Sequence, residues 1–392
     1  MVDPRAMTGP GGVVLQSGTE LAPFRRWVAA AGSGGAQVWI QINHPGRQVL
    51  AAIGQPDWAP SAVALDLAKP QEMSDAEIEH TITRFANTAK LAQKAGFHGV
   101  QVHAAHRYLL SQFLSALANK RADKWGWSLE NRARFLLETV RAVRAVVKPE
   151  FCVAVKLNSA DFQRGGFDAA DAQAVVQMLN GCVVDLVELS GGSYEAPAMQ
   201  GEAKDSRTLV REAYFPEFAR DIAKVARMPV MVTIGIRRQT VAQEVLEQGV
   251  AMVGVAIALA LNPSLPNAWR EGQSTDGLRP VVAIKDKVMA ALATMAMVKA
   301  ANAAAGCWQA PQGRCEPGFQ PGTRPISYPM ADPTLQALGG VTVGGNENPS
   351  SPEPAGQTRQ KRSRSLGYLP WPQLPGRLCR RAGCVVFLRG PR

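Results

Sequence analysis

Residues 99–135 read GVQVHAAHRYLLSQFLSALANKRADKWGWSLENRARF. The stretch opens as an apolar alternation, with Val100 and Val102 on one face, which suits the end of a buried strand. His103, His106 and Tyr108 come immediately after. Two imidazoles can donate hydrogen bonds to an oxygen, and a phenol close behind them can deliver a proton. Asn119-Lys120-Arg121 and Asn131-Arg132-Ala133-Arg134 then form a polar segment leading into a helix, for which Ser128 is the expected N-cap.

The same kind of run recurs along the chain. Strand-like runs at 36–42, 99–103, 151–157, 183–189, 229–234 and 250–255 alternate with helical patterns at 74–95, 128–147, 168–179, 211–226 and 239–248. Ser74-Asp75-Ala76-Glu77 has the form of a capping box at the start of the first of these helices. Short apolar strands alternating with amphipathic helices imply βα units and a parallel sheet. Gln41, His103, Lys156, Ser190 and Gly235 all fall at C-terminal strand ends, where a (β/α)8 barrel builds its active site. Only six strands are legible, and a closed barrel of that type needs eight.

Composition bounds the rest. The chain has 392 residues, 46% hydrophobic and 19% charged, which are globular values. It has no apolar run of transmembrane length and no secretory leader, so neither a membrane nor export is expected, and the cytoplasm is the expected compartment. The six cysteines show no metal-ligand spacing, and Cys152 and Cys182 fall in apolar strand-like runs, as buried thiols do. The net charge of +11 comes mostly from an Arg-rich segment after residue 303. The excess charge thus belongs to that segment and not to the body of the chain, so a nucleic-acid partner is not expected. His103 and His106 have no third ligand nearby, so no metal is expected.

The order His103-Ala-Ala-His106-x-Tyr108-Leu-Leu-x-Gln-Phe-Leu-Ser, then Asn-Lys-Arg, Trp-Gly and Ser-Leu-Glu-Asn-Arg-Ala-Arg-Phe, closely resembles the Old Yellow Enzyme family of FMN-dependent NAD(P)H:flavin oxidoreductases and ene-reductases. The resemblance covers residues 1–302. It implies an α/β fold, a TIM (β/α)8 barrel of the FMN-linked oxidoreductase type. Residues 1–7 match the segment just after the second barrel strand, so this chain is expected to lack the first two βα units, through a late start codon or a truncated product. Residues 303–392, rich in Pro, Gly and Arg, resemble nothing in the family and are expected to be a disordered tail. A reading-frame shift near residue 300 would produce such a sequence.

By the same resemblance, FMN takes a hydride from NAD(P)H and passes it to an electron-poor acceptor such as an α,β-unsaturated carbonyl. His103 and His106 are then the pair that grips the acceptor oxygen, and Tyr108 the proton donor. Gln41 matches the glutamine on the pyrimidine edge of the flavin. Lys156 matches a cation near N1 and the C2 carbonyl, where arginine is the commoner residue. Gly235, Arg237 and Gly254 lie in the loops expected to hold the phosphate. A small-molecule acceptor is the expected partner, and a homo-oligomer is left open.

Three departures from the family stand out. Arg107 takes the place of a glycine between the second histidine and the tyrosine. If that position needs a positive φ, the arginine costs roughly 1–2 kcal/mol and can swing Tyr108 out of line. In the phosphate loops, Ile234-Gly235 replaces a double glycine and Ala256-Ile257 a Gly-Arg pair. The competing expectation is therefore a non-catalytic truncated remnant with an impaired flavin site.

Overall fold

The computed structural model describes residues 1–8, 12–49, 57–64, 70–191, 218–233, 235–273 and 276–278, a few positions from 282 to 298, and the backbone of 386–389. The chain divides into two compact units. One comprises Met1–Ile236, Thr240–Val255 and Pro375–Arg392, and the other Arg237–Gln239 and Ala256–Leu374.

The first unit is built on a parallel sheet. Its strands are β1 (Trp39–Ile42), β4 (Gly99–Ala104), β5 (Cys152–Asn158), β6 (Leu186–Ser190), β7 (Val230–Val232) and β8 (Met252–Val255), adjacent in that order. A short pair, β2 (Trp58–Ala59) and β3 (Gln71–Glu72), stands apart from this sheet. The six expected strands are all present, each paired in parallel with the next. A further strand, β9 (Val386–Arg389), runs antiparallel along the outer edge of β8. Among the described residues the sheet is open, with β1 and β9 at its edges. The remainder of 303–392 lies outside the described residues.

Helices α1 (Ala22–Gly32), α2 (Asp75–Lys94), α3 (Leu109–Leu114), α4 (Leu129–Val146) and α5 (Ala169–Leu179) alternate with the strands, and α2, α4 and α5 pack in succession. Their starts follow the expected chemistry. Ser74 Oγ accepts the Glu77 backbone N–H at 3.3 Å, Ser128 Oγ that of Asn131 at 3.3 Å, and Asp168 Oδ1 that of Asp171 at 3.0 Å. Among the described residues no helix is long and apolar enough to cross a membrane.

Every residue of β4 and β5 is buried, as expected of parallel strands covered on both faces. Alternation sends Val100, Val102, Val153, Val155 and Val187 to one face. On the opposite face Ala154, Leu186 and Met231 pack together with Trp39 and Met252. That apolar plug leaves the C-terminal ends of the strands to carry polar groups.

Much of the 119–135 motif is architectural. Asn119 Nδ2 donates to the carbonyls of Phe113 (2.9 Å) and Trp125 (2.8 Å). Arg121 donates to the carbonyls of Pro60 (3.2 Å) and Met73 (2.6 Å), stitching this loop to the chain flanking β2 and β3. Trp125 is fully buried, edge-on to Phe135.

Candidate functional site

His103 is the fifth residue of β4 and its ring is buried. The strand ends at Ala104, and the chain turns through two consecutive left-handed residues, His106 (φ 58°) and Arg107 (φ 57°). Tyr108 follows in extended conformation and caps α3. This turn folds the three ring-bearing side chains together. The His103 and His106 centroids are 5.2 Å apart, and the Tyr108 ring lies 5.0 Å from His103.

The turn is held from several sides. The backbone N–H of His106 donates to Asn158 Oδ1 at 3.1 Å, and His106 Nε2 lies 2.8 Å from Ser190 Oγ. Gln48 Nε2 donates to the carbonyls of His106 (3.0 Å) and Arg107 (2.7 Å), and Gln112 Nε2 also reaches the latter at 2.6 Å. Gly46 permits this approach: its φ is +61°, and a Cβ there would stand 2.3 Å from Gln112 Oε1.

Arg107 does occupy the positive-φ position that glycine would take without strain. Its side chain supplies a compensation that the sequence did not reveal. The guanidinium is buried, its Nε 3.3 Å from Asp161 Oδ2, and Nη2 donates to Gln163 Oε1. Asp161 is itself fully buried and also accepts from Asn158 Nδ2 at 3.0 Å and from the Phe167 N–H at 3.4 Å. The buried ion pair thus ties the His106–Tyr108 turn to the loop after β5.

Both histidines are neutral at physiological pH. Burial, then the neighbouring His106 and Lys156, hold His103 well below the usual imidazole value. Burial and Lys156 press His106 down to about 3. Each can therefore donate one N–H to an oxygen without carrying a charge. Among the described residues no group of three His, Cys, Asp or Glu side chains is placed to hold a metal ion.

The structure connects Gln41 and Lys156 through residues that sequence reasoning missed. Gln41 Nε2 donates to Gln101 Oε1 at 2.7 Å, Gln101 Nε2 donates to Glu188 Oε2, and Lys156 Nζ donates to Glu188 Oε1. Gln101 sits two residues before His103, and Glu188 two before Ser190. Such spacing along a strand puts them on the face of those residues. A carboxylate within the apolar run LVELS was the signal available.

The remaining expected residues are Gly235, Gly254 and Arg237. Gly235 follows β7 with φ +60°, with open space where a Cβ would project. Gly254 lies within β8, opposite Phe387 of β9. Arg237 belongs to the second unit, its Nη1 3.7 Å from Asp276 Oδ2.

Comparison with known proteins gives a consistent picture. The sequence model of the NADH:flavin oxidoreductase / NADH oxidase family matches residues 1–276. An NADH-dependent flavin oxidoreductase of Neonectria sp. is 35% identical over 301 residues, covering 70% of this chain and 39% of that protein. A protein of the same name from Hypocrea jecorina is 35% identical over 273 residues, covering 63% of this chain and 68% of its own length. Among solved structures, a 2-naphthoyl-CoA reductase superposes with a TM-score of 0.61 at 27% identity, over 67% of this chain and 42% of that one. Morphinone reductase in complex with tetrahydroNAD superposes with a TM-score of 0.58 at 24% identity, over 71% of this chain and 78% of its own, a likeness of fold. The chain thus spans less than half the length of the Neonectria protein and of the naphthoyl-CoA reductase.

Proposed function

Because the chain belongs to the NADH:flavin oxidoreductase / NADH oxidase family, we propose that it is an FMN-dependent NAD(P)H oxidoreductase acting on an electron-poor small molecule such as an α,β-unsaturated carbonyl. The observation that carries this reading is the trio at the end of β4: two neutral imidazoles side by side with a phenol 5.0 Å from one of them.

The residues present fit a flavin. Asn43 Oδ1, His103 Nδ1, Ser159 Oγ and Thr233 Oγ1 are buried polar atoms without a hydrogen-bond partner. They belong to, or directly follow, the C-terminal ends of β1, β4, β5 and β7, and therefore sit at one end of the parallel sheet. Orphaned polar atoms are costly to bury, and four at one strand mouth suit a ligand with alternating donors and acceptors along its edge. Gln41 and Lys156 would hold the pyrimidine end, and the Gly235 and Gly254 segments the phosphate.

When bound, FMN supplies hydride transfer between the nicotinamide and the acceptor. The chain's own groups do the rest. His103 and His106 donate N–H to the acceptor's oxygen and stabilise the charge that develops there. Tyr108 delivers the proton that balances the hydride. Lys156 supplies positive charge beside the site. The cytoplasm, where NAD(P)H is available and the Cys152 and Cys182 thiols stay reduced, is the compartment that suits this chemistry.

Titrating FMN into the purified chain and following its visible absorption tests the reading. Bound flavin bleached by NADH or NADPH under anaerobic conditions, and recoloured by 2-cyclohexenone, is the expected result. His103→Ala or His106→Ala should lower enone turnover by about 10²–10³, and Tyr108→Phe by about 10²–10⁴. A chain that stays colourless refutes the proposal and leaves the remnant.

A further inference from the structure

Glu188 is fully buried in the middle of the sheet, where a charge must be paired to be tolerated. Its two oxygens are spoken for differently: Oε1 takes the Lys156 ammonium and Oε2 the Gln101 amide. Strand register makes this inevitable once the side chains are chosen, because Lys156 is the Cα partner of Glu188 across β5 and β6, and Gln41 that of Gln101 across β1 and β4. The result is a continuous chain Gln41–Gln101–Glu188–Lys156 spanning four strands, with a site residue at each end. Gln101 and Lys156 are 9% and 8% exposed, so the pair works in an environment where a unit charge is felt strongly.

We propose that Glu188 is a positioning residue that offsets the charge of Lys156 and, through Gln101, couples it to Gln41, so that the chain offers reduced FMN a damped rather than a full positive charge. This rests on the FMN reading above. A lone buried ammonium beside the pyrimidine end would favour reduced FMN, which carries negative charge, over the oxidised form. The Glu188 carboxylate draws the ammonium back and cancels part of its field. Damping of this kind keeps the bound flavin a strong reductant toward an electron-poor acceptor. A purely structural ion pair would affect both redox states of the ligand alike.

The test is the ratio of FMN dissociation constants, oxidised over dithionite-reduced, measured anaerobically by flavin absorbance and fluorescence on the full chain. Glu188→Gln should raise that ratio by about tenfold or more, and each tenfold converts to about 30 mV in the potential of the bound flavin. In a Lys156→Met background the same change should move the ratio much less, since only the carboxylate's own field then remains and no ammonium is left for it to draw back. Gln101→Leu keeps both charges but removes one donor from the carboxylate. Glu188 should then hold Lys156 harder, and the ratio should fall. If Glu188→Gln yields no folded protein, the direction of the Gln101→Leu shift decides. Both dissociation constants rising together, or an equal effect with Lys156 absent, overturns the proposal while the FMN reading stands. Wild-type chain that binds no FMN in either state overturns both.

Discussion

Replacing Arg107 with glycine sets two contributions against each other. The wild-type residue sits at φ 57°, a left-handed conformation that costs a residue with a Cβ roughly 1–2 kcal/mol and costs glycine almost nothing. On backbone grounds alone, Arg107→Gly should stabilise the protein. The substitution also removes the partner of a buried carboxylate, and breaking a buried ion pair from one side typically costs about 3–5 kcal/mol. Asp161 keeps two donors, Asn158 Nδ2 and the Phe167 N–H, which places the loss toward the low end. The expected net effect is a destabilisation of about 1–3 kcal/mol. A loss of 2 kcal/mol lowers Tm by about 4–8 °C for a unit of this size. Thermal or urea unfolding measures it. Adding Asp161→Asn to the glycine variant should return most of the loss, because no unpaired charge then remains. An Arg107→Gly protein as stable as wild type, or more stable, would show that the ion pair does not offset the strain.

Three further outcomes are expected. His44 is buried, and its Nδ1 accepts the Gly46 N–H at 3.1 Å, a bond that protonation at Nδ1 destroys. Burial, partly opposed by Asp3, brings its pKa to about 4. Below the unfolded value of about 6.5 the unfolded chain binds the extra proton. The share of stability that His44 contributes should therefore fall as pH drops from about 6.5 to 4, by about 1.4 kcal/mol per pH unit, beside the like contributions of His103 and His106. His44→Gln should flatten that part of a stability–pH curve, and an unchanged curve refutes the assignment. Burial pushes the Cys152 thiol up to about 11, so Ellman's reagent should label it only after denaturant is added. Fast labelling in the native protein contradicts this. Gly46→Ala should lower stability by more than 1–2 kcal/mol, because its positive φ and the 2.3 Å approach of Gln112 both resist a Cβ. Urea denaturation reads the difference, and a neutral result would mean that Gln112 yields freely.

The strands and helices were legible in the sequence because their information is local. Alternation marked β4 and β5, and Ser74, Ser128 and Asp168 marked helix starts, since a cap needs only a side chain three residues from its donor. The trio His103, His106 and Tyr108 was legible for the same reason: its members are neighbours in the chain. What the sequence could not supply was pairing across strands. Glu188 meets Lys156 from 32 residues away and Gln101 from 87, and Asp161 meets Arg107 from 54. Whether Arg107 is a liability or a tether therefore depended on a partner that only tertiary packing could bring, and a charge buried far from water is tolerable only once that partner arrives. The antiparallel β9 on the edge of β8 was equally invisible, because a strand edge accepts its neighbour mainly through backbone hydrogen bonds, on which side-chain pattern leaves little trace.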